Sequence, residues 1–200
     1  MKLESLVFGI AGACFGLIAG WTIGVQQAER SPATPLAAAP AAAASAPALL
    51  DQDRVRTLEG IAERDAENVE VRVQIGNLYY DAERFELAAP WYEQALELNP
   101  SDVNVSTDLG VAYYQMNQPE KALEQFAYSL QVDPGHVKTL LNVGIVRAFG
   151  TQDLEGATEA WRQVVDLAPA SQEAQVARRA LDSIAAAHQG LTGAPSGSNP

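Results

Sequence analysis

The sequence predicts an all-α fold: a helical solenoid of about three repeated units, closed by one extra helix at each end and set behind a single N-terminal transmembrane helix. Three columns of residues carry the repeat. Gly76, Gly110 and Gly144 are spaced 34 and 34 apart, and Pro100, Pro134 and Pro169 follow at 34 and then 35. Ala88, Ala122 and Ala157 keep the same register, and each is followed four residues later by an aromatic, Tyr92, Phe126 and Trp161. A period of this length in several columns at once is the signature of an array of one supersecondary unit.

The unit resembles the tetratricopeptide repeat, a 34-residue helix-turn-helix with the pattern W-x2-L-G-x2-Y, then A-x3-F, then P. The first unit supplies Ile75-Gly76-x2-Tyr79, Ala88-x3-Tyr92 and Pro100, and the second Leu109-Gly110-x2-Tyr113, Ala122-x3-Phe126 and Pro134. The third supplies Val143-Gly144, with Arg147 in the tyrosine place, then Ala157-x3-Trp161 and Pro169. The leading tryptophan is absent from all three, its places taken by Arg72, Ser106 and Leu140. The small residues leave room for two helices to approach. The aromatic, one turn after the alanine, is expected to fill the gap towards the next unit. The proline stops the second helix. The extra residue of the third unit is expected in the loop Phe149–Asp153, because loops absorb insertions.

In chain order, residues 1–27 read as the anchor. Leu6 to Val25 is 20 residues without a charge, and at about 1.5 Å per residue that matches a hydrocarbon core of roughly 30 Å. A cleaved signal peptide is the rival reading. The run is longer than the usual signal core, and the small-x-small site Ala44-Ser45-Ala46 comes late and precedes Pro47, so an uncleaved signal anchor is expected. Lipidation at Cys14 fits poorly, with Ala11 where a larger aliphatic belongs. Lys2 and the amino terminus lie before the span and no basic cluster follows it, which places the N-terminus in the cytoplasm and the array on the outer, periplasmic-type side. Gly12, Gly16, Gly20 and Gly24 draw a smooth stripe suited to packing against a second membrane helix or a second copy of this one.

Residues 28–50 are Ala/Pro-rich, with Pro32, Pro35, Pro40 and Pro47 interrupting alanine's helical tendency, and read as an extended tether. Residues 51–188 form the repeat domain: a half-repeat over 51–68, units over 69–102, 103–136 and 137–170, and a capping helix over 171–188. In the half-repeat Val55, Leu58 and Ala62 make an apolar stripe, and a lone helix there covers the open end of the array. The predicted hairpins are Val69–Asp81 with Phe85–Leu98, Val103–Met116 with Pro119–Val132, and Val137–Phe149 with Leu154–Leu167. Ser171 is the expected cap of the closing helix, and residues 189–200, poor in apolar side chains, read as a disordered tail.

The net charge is −12, with 25 acidic against 13 basic residues. That excludes phosphate-backbone binding, which needs a basic surface, and opposes docking on anionic lipid. One cysteine permits no disulfide or zinc site within the chain. His136 and His188 lack metal-ligand spacing, and no nucleophile motif or phosphate loop is present. The reading is therefore a non-enzymatic module without cofactor or metal.

The resemblance implies a concave groove lined by the first helix of each unit, taking protein or peptide partners. On this sequence it places there Asn77, Tyr80, Thr107, Asp108, Val111, Tyr114, Lys138, Leu141, Asn142, Ile145 and Phe149, with Val73, Asp81 and Gln115 beside them. Tyr80 and Tyr114 carry two readings, groove contact or packing between units. A carboxylate clamp known in this fold would fall on Val73, Asn77, Asp108, Lys138 and Asn142. Only Asn77 and Lys138 agree with it, so a chaperone-tail clamp is not expected. The expected function is a membrane-tethered scaffold or adaptor that binds proteins through the groove. Two alternatives stand beside it. The layout is similar to accessory factors of c-type cytochrome maturation that hold an apoprotein segment, and the glycine stripe suits a structural homo-oligomer of the envelope.

Overall fold

Five of the eight described helices start at a side chain that caps them. The computed structural model describes residues 49–192, which form eight α-helices and one π-helical turn, with no strand among the described residues. Helix α1 is Gln52–Arg64, and Asp51 caps it by accepting from the Arg54 amide at 2.9 Å. Helices α2 (Val69–Asp81) and α3 (Phe85–Leu98) make the first hairpin, α4 (Val103–Gln115) and α5 (Pro119–Val132) the second. Asn68 and Asp102, 34 residues apart, cap α2 and α4 through the amides of Val71 and Val105, each at 3.1 Å. Such caps are worth about 1 kcal/mol each. The third hairpin is α6 (Val137–Ile145), a π-helical turn over Val146–Gly150, and α7 (Leu154–Leu167). Helix α8, Gln172–Thr192, follows, with the Ala174 amide donating to Ser171 Oγ at 3.0 Å. It runs four residues past the expected end at His188, so the stretch expected to be disordered begins as helix. Described residues 49–182 belong to one compact unit and those from Ser183 onward to another.

Within the array each hairpin closes on itself, and the second helix of one unit packs on the first helix of the next. The glycine column decides how closely. A Cβ placed on Gly76 would lie 2.5 Å from Cε1 of Tyr92, and at Gly110 and Gly144 it would come closer still to Phe126 and Trp161. The aromatic therefore docks on the glycine of its own unit, correcting the expectation that it fills the gap towards the next. Tyr92, Phe126 and Trp161 are all but fully buried, and Ala88, Ala122 and Ala157 are completely so. Removing roughly 200 Å² of ring surface from water at about 25 cal/mol per Å² contributes on the order of 5 kcal/mol per socket.

The places of the absent tryptophan are filled in three ways. The Arg72 guanidinium is nearly buried and donates to the carbonyls of Asn68 and Asp65. Ser106 accepts from Gln125 Nε2 and from Ser129 Oγ, both at 2.7 Å. Leu140 is simply buried.

The inserted residue is not taken up by the loop. In the first two hairpins the amides of Arg84 and Gln118 bond back to the carbonyls of Tyr79 and Tyr113, five residues earlier. In the third, the Asp153 amide reaches the Arg147 carbonyl at 2.8 Å, six residues earlier, and Thr151 N bonds Val146 O at 3.1 Å. The helix widens into a π turn instead of lengthening the connection. Glu83, Asn117 and Gln152 then occupy the same left-handed position after each first helix, with φ of 55°, 59° and 59°.

Gly110→Ala is expected to destabilise the array by about 1–3 kcal/mol through overpacking, with Phe126→Leu in the same background recovering part of the loss. Thermal unfolding monitored by circular dichroism measures both, and an unchanged midpoint for Gly110→Ala would refute the socket.

Candidate protein-interaction groove

The expected groove residues lie on α2, α4, α6 and the π turn. Asn77 is exposed on α2, and its Oδ1 accepts from the Tyr92 hydroxyl at 2.8 Å. The socket aromatic thus runs through the hairpin and orients a groove amide at its far end. Trp161 does likewise in the third unit, its Nε1 donating to the Leu141 carbonyl at 3.2 Å. Tyr80 is half-buried, edge-on to Phe85 with ring centroids 5.3 Å apart and 6.4 Å from the Tyr92 ring. Burial, followed by the charges of Asp108 and Asp81, pushes its hydroxyl up to about 12.

Asp108 and Lys138, on neighbouring first helices, form an ion pair at 2.7 Å. Two expected ligand contacts are thereby spent on each other, and the groove is less acidic there than its residues taken singly imply. Val111, Tyr114, Leu141, Asn142, Ile145 and Phe149 are half-buried. Tyr114 serves as packing at one edge, since a Cβ on Gly150 would lie 3.2 Å from its ring. Burial raises the Tyr114 hydroxyl above its ordinary value.

Thr107 does not belong to the groove surface. It is fully buried, donates to the Val103 carbonyl at 2.7 Å, and meets Thr139 Oγ1 at 2.6 Å. Thr139 in turn lies 2.7 Å from Nδ1 of His136. Position 107 sits where the second first-helix is clasped by the third, so its hydroxyl is consumed in fastening the two units. His136, at the place filled by Asn68 and Asp102 in the other units, makes no capping bond and engages Thr139 instead.

Sequence reasoning overlooked the outer side of the array. There the Tyr113 hydroxyl donates to the Glu93 carboxylate, and Lys121 Nζ lies 3.8 Å from the centroid of the Tyr113 ring and 3.8 Å from Glu93. Burial first, then the bond to Glu93 and its charge, raises the Tyr113 hydroxyl. The signal was present, since Glu93 and Tyr113 have counterparts 34 residues earlier, but the repeat's own motif includes only the tyrosine. Among the described residues no group of three or more His, Cys, Asp or Glu is placed to hold a metal ion.

The family model described as TPR repeat matches residues 76–117, from the first socket glycine to the left-handed Asn117. Over those residues the chain matches the tetratricopeptide repeat. Solved structures agree in fold. YrrB, described as a TPR protein with an unusual peptide-binding site, is 26% identical over 62% of this chain and 64% of its own, with a TM-score of 0.57. The first TPR domain of Spaghetti (RPAP3), bound to the HSP90 peptide SRMEEVD, is 23% identical over 64% of this chain and 96% of that one, TM-score 0.55. A crystal structure of MamA is 14% identical over 69% and 88%, TM-score 0.56. No curated protein matches the sequence.

Because Tyr80 is held neutral by burial and by two carboxylates, the stability it contributes is complete below about pH 10 and is lost as pH rises through about 12. An ultraviolet absorbance titration is expected to lose a transition near 12 in Tyr80→Phe. In Asp108→Asn the same transition moves down, since that change removes a negative charge and leaves Lys138 unpaired.

Proposed function

We propose that this chain is a membrane-tethered scaffold that captures a protein segment in the groove formed by its first helices. One observation carries the reading: Val111, Tyr114, Leu141, Ile145 and Phe149 stay half-exposed on successive first helices, an apolar strip that the array leaves partly open to solvent. Tyrosines and amides beside it suit peptide backbone, with contact area at low entropic cost and pairing to both N–H and C=O. The likeness to YrrB, a TPR protein with an unusual peptide-binding site, and to the RPAP3 domain, bound to the HSP90 peptide SRMEEVD, supports the same use.

The ligand differs in kind from an acidic tail. Lys138, one of two positions that agree with a carboxylate clamp, is engaged by Asp108, and Asn77, the other, accepts from Tyr92. An extended, largely uncharged segment with apolar anchors fits what remains.

The tether rests on the sequence. No helix among the described residues is long and apolar enough to cross a membrane; Leu6–Val25 and the glycines at 12, 16, 20 and 24 lie outside the described residues. Their pattern supports a single span with the repeats on the outer side. The glycine stripe also supports self-association as a second reading, in which the membrane helix builds an oligomer and the groove serves only its assembly.

A photoreactive residue at Tyr114 in intact membranes is expected to cross-link a distinct protein that a probe at outward-facing Glu124 does not. Tyr114→Ala with Asn142→Ala should abolish that capture and leave oligomer size unchanged. Capture of this protein alone, with oligomer size reduced by Gly16→Leu and Gly20→Leu, would replace the scaffold by the oligomer.

A further inference from the structure

The array contains its own template for a cation site. A shift of 34 residues lays Glu59, Tyr79 and Leu87 onto Glu93, Tyr113 and Lys121. In the furrow between α3 and α5 the set is complete: the tyrosine hydroxyl meets the glutamate, and the lysine ammonium covers the tyrosine ring and faces the carboxylate. In the furrow between α1 and α3 two of the three parts recur. Glu59 and Tyr79 line one cavity there, and burial first, then the charge of that carboxylate, raises the tyrosine hydroxyl above its ordinary value. The third part is missing, because Leu87 stands in the lysine's place and is half-exposed. The third unit, with Ala127, Arg147 and, after the inserted residue, Gly156 at these positions, keeps none of it.

The geometry points to the first furrow as a docking subsite for a lysine or arginine side chain of a partner protein, seated over Tyr79 against Glu59. A cavity of about 280 Å³ is lined there by Leu50, Val55, Glu59, Tyr79 and Leu87, with Gln52 and Arg56 at its wall. That is near the lower end of the roughly 300–1,000 Å³ of small-molecule sites and suits a single long side chain. Leu50, Val55 and Leu87 give its methylene stem an apolar wall, while the ring face and carboxylate receive its head. Arg56 does not supply the charge, since it is paired with Asp53 at the surface. Glu59 also lines an adjoining cavity with Ala62, Glu63, Arg72, Trp91 and Gln94, so an apolar residue flanking the cation has Ala62 and Trp91 to rest on. The chain's net charge of −12 favours encounter with such a basic segment. The site is on the outer side of the array and does not depend on the groove.

The test is a titration of the full chain in detergent with the blocked peptide Ac-Ala-Leu-Lys-Leu-Ala-NH2 and its norleucine analogue. Trp91 fluorescence gives the readout, with Trp91→Phe as blank. The lysine peptide is expected to bind about tenfold more tightly than the analogue. Glu59→Gln should remove most of that difference, and so should Leu87→Lys, which supplies the missing ammonium from within. Leu87 and Glu59 are not core residues, and thermal melts of both variants verify that they fold. Equal affinity for the two peptides, or undiminished binding to Glu59→Gln or Leu87→Lys, overturns the proposal. Loss of binding in Tyr114→Ala with Asn142→Ala moves the peptide to the groove and overturns it too.

Discussion

The contact on which the array depends is an aromatic ring laid flat against a glycine. A methyl group at Gly76, Gly110 or Gly144 would collide with Tyr92, Phe126 or Trp161, so the absence of one carbon at each site fixes how near the ring comes to its partner helix. The neighbouring alanine column has no exposed surface at all. Hairpin spacing follows from these two small residues, and the stacking of units follows from hairpin spacing. The ring identity is free to vary because the socket demands a flat apolar face and little more. Where the ring carries a polar atom, that atom finds a partner on the groove side: Asn77 for Tyr92, the Leu141 carbonyl for Trp161.

This arrangement divides the side chains of each first helix between two tasks. One face must fasten units together, and any polar group there is used up internally, as with Thr107, Thr139 and His136. The other is left for ligands, yet even there neighbouring units consume charge, as Asp108 and Lys138 do. What survives for recognition is a mostly apolar strip with amides at its margins. Under the proposed function, a partner would be selected by shape and backbone pairing more than by charge in the groove.

Electrostatics instead stand out on the outer side, where consecutive units carry the same tyrosine–glutamate pair and differ in the cation. Repetition makes such differences readable. The completed set in one unit is the basis on which we propose what the incomplete set in its neighbour accepts.

Much of the fold was legible in the sequence because repetition turns weak preferences into a pattern: glycine, alanine, aromatic and proline columns set the number of units and the helix order. The apolar N-terminal stretch and the glycine stripe are legible only there. Three matters needed the tertiary structure. Which gap the aromatic fills depends on the distance between helices that sequence spacing does not encode. The inserted residue could have gone into a loop or a helix, and the π turn won because it keeps the bonds that close the third hairpin while Asp153 still caps α7 through the Gly156 amide. And whether Thr107 or Asp108 meets a ligand is settled by the unit packed against it, since a helix face is exposed or consumed only once its neighbour is in place.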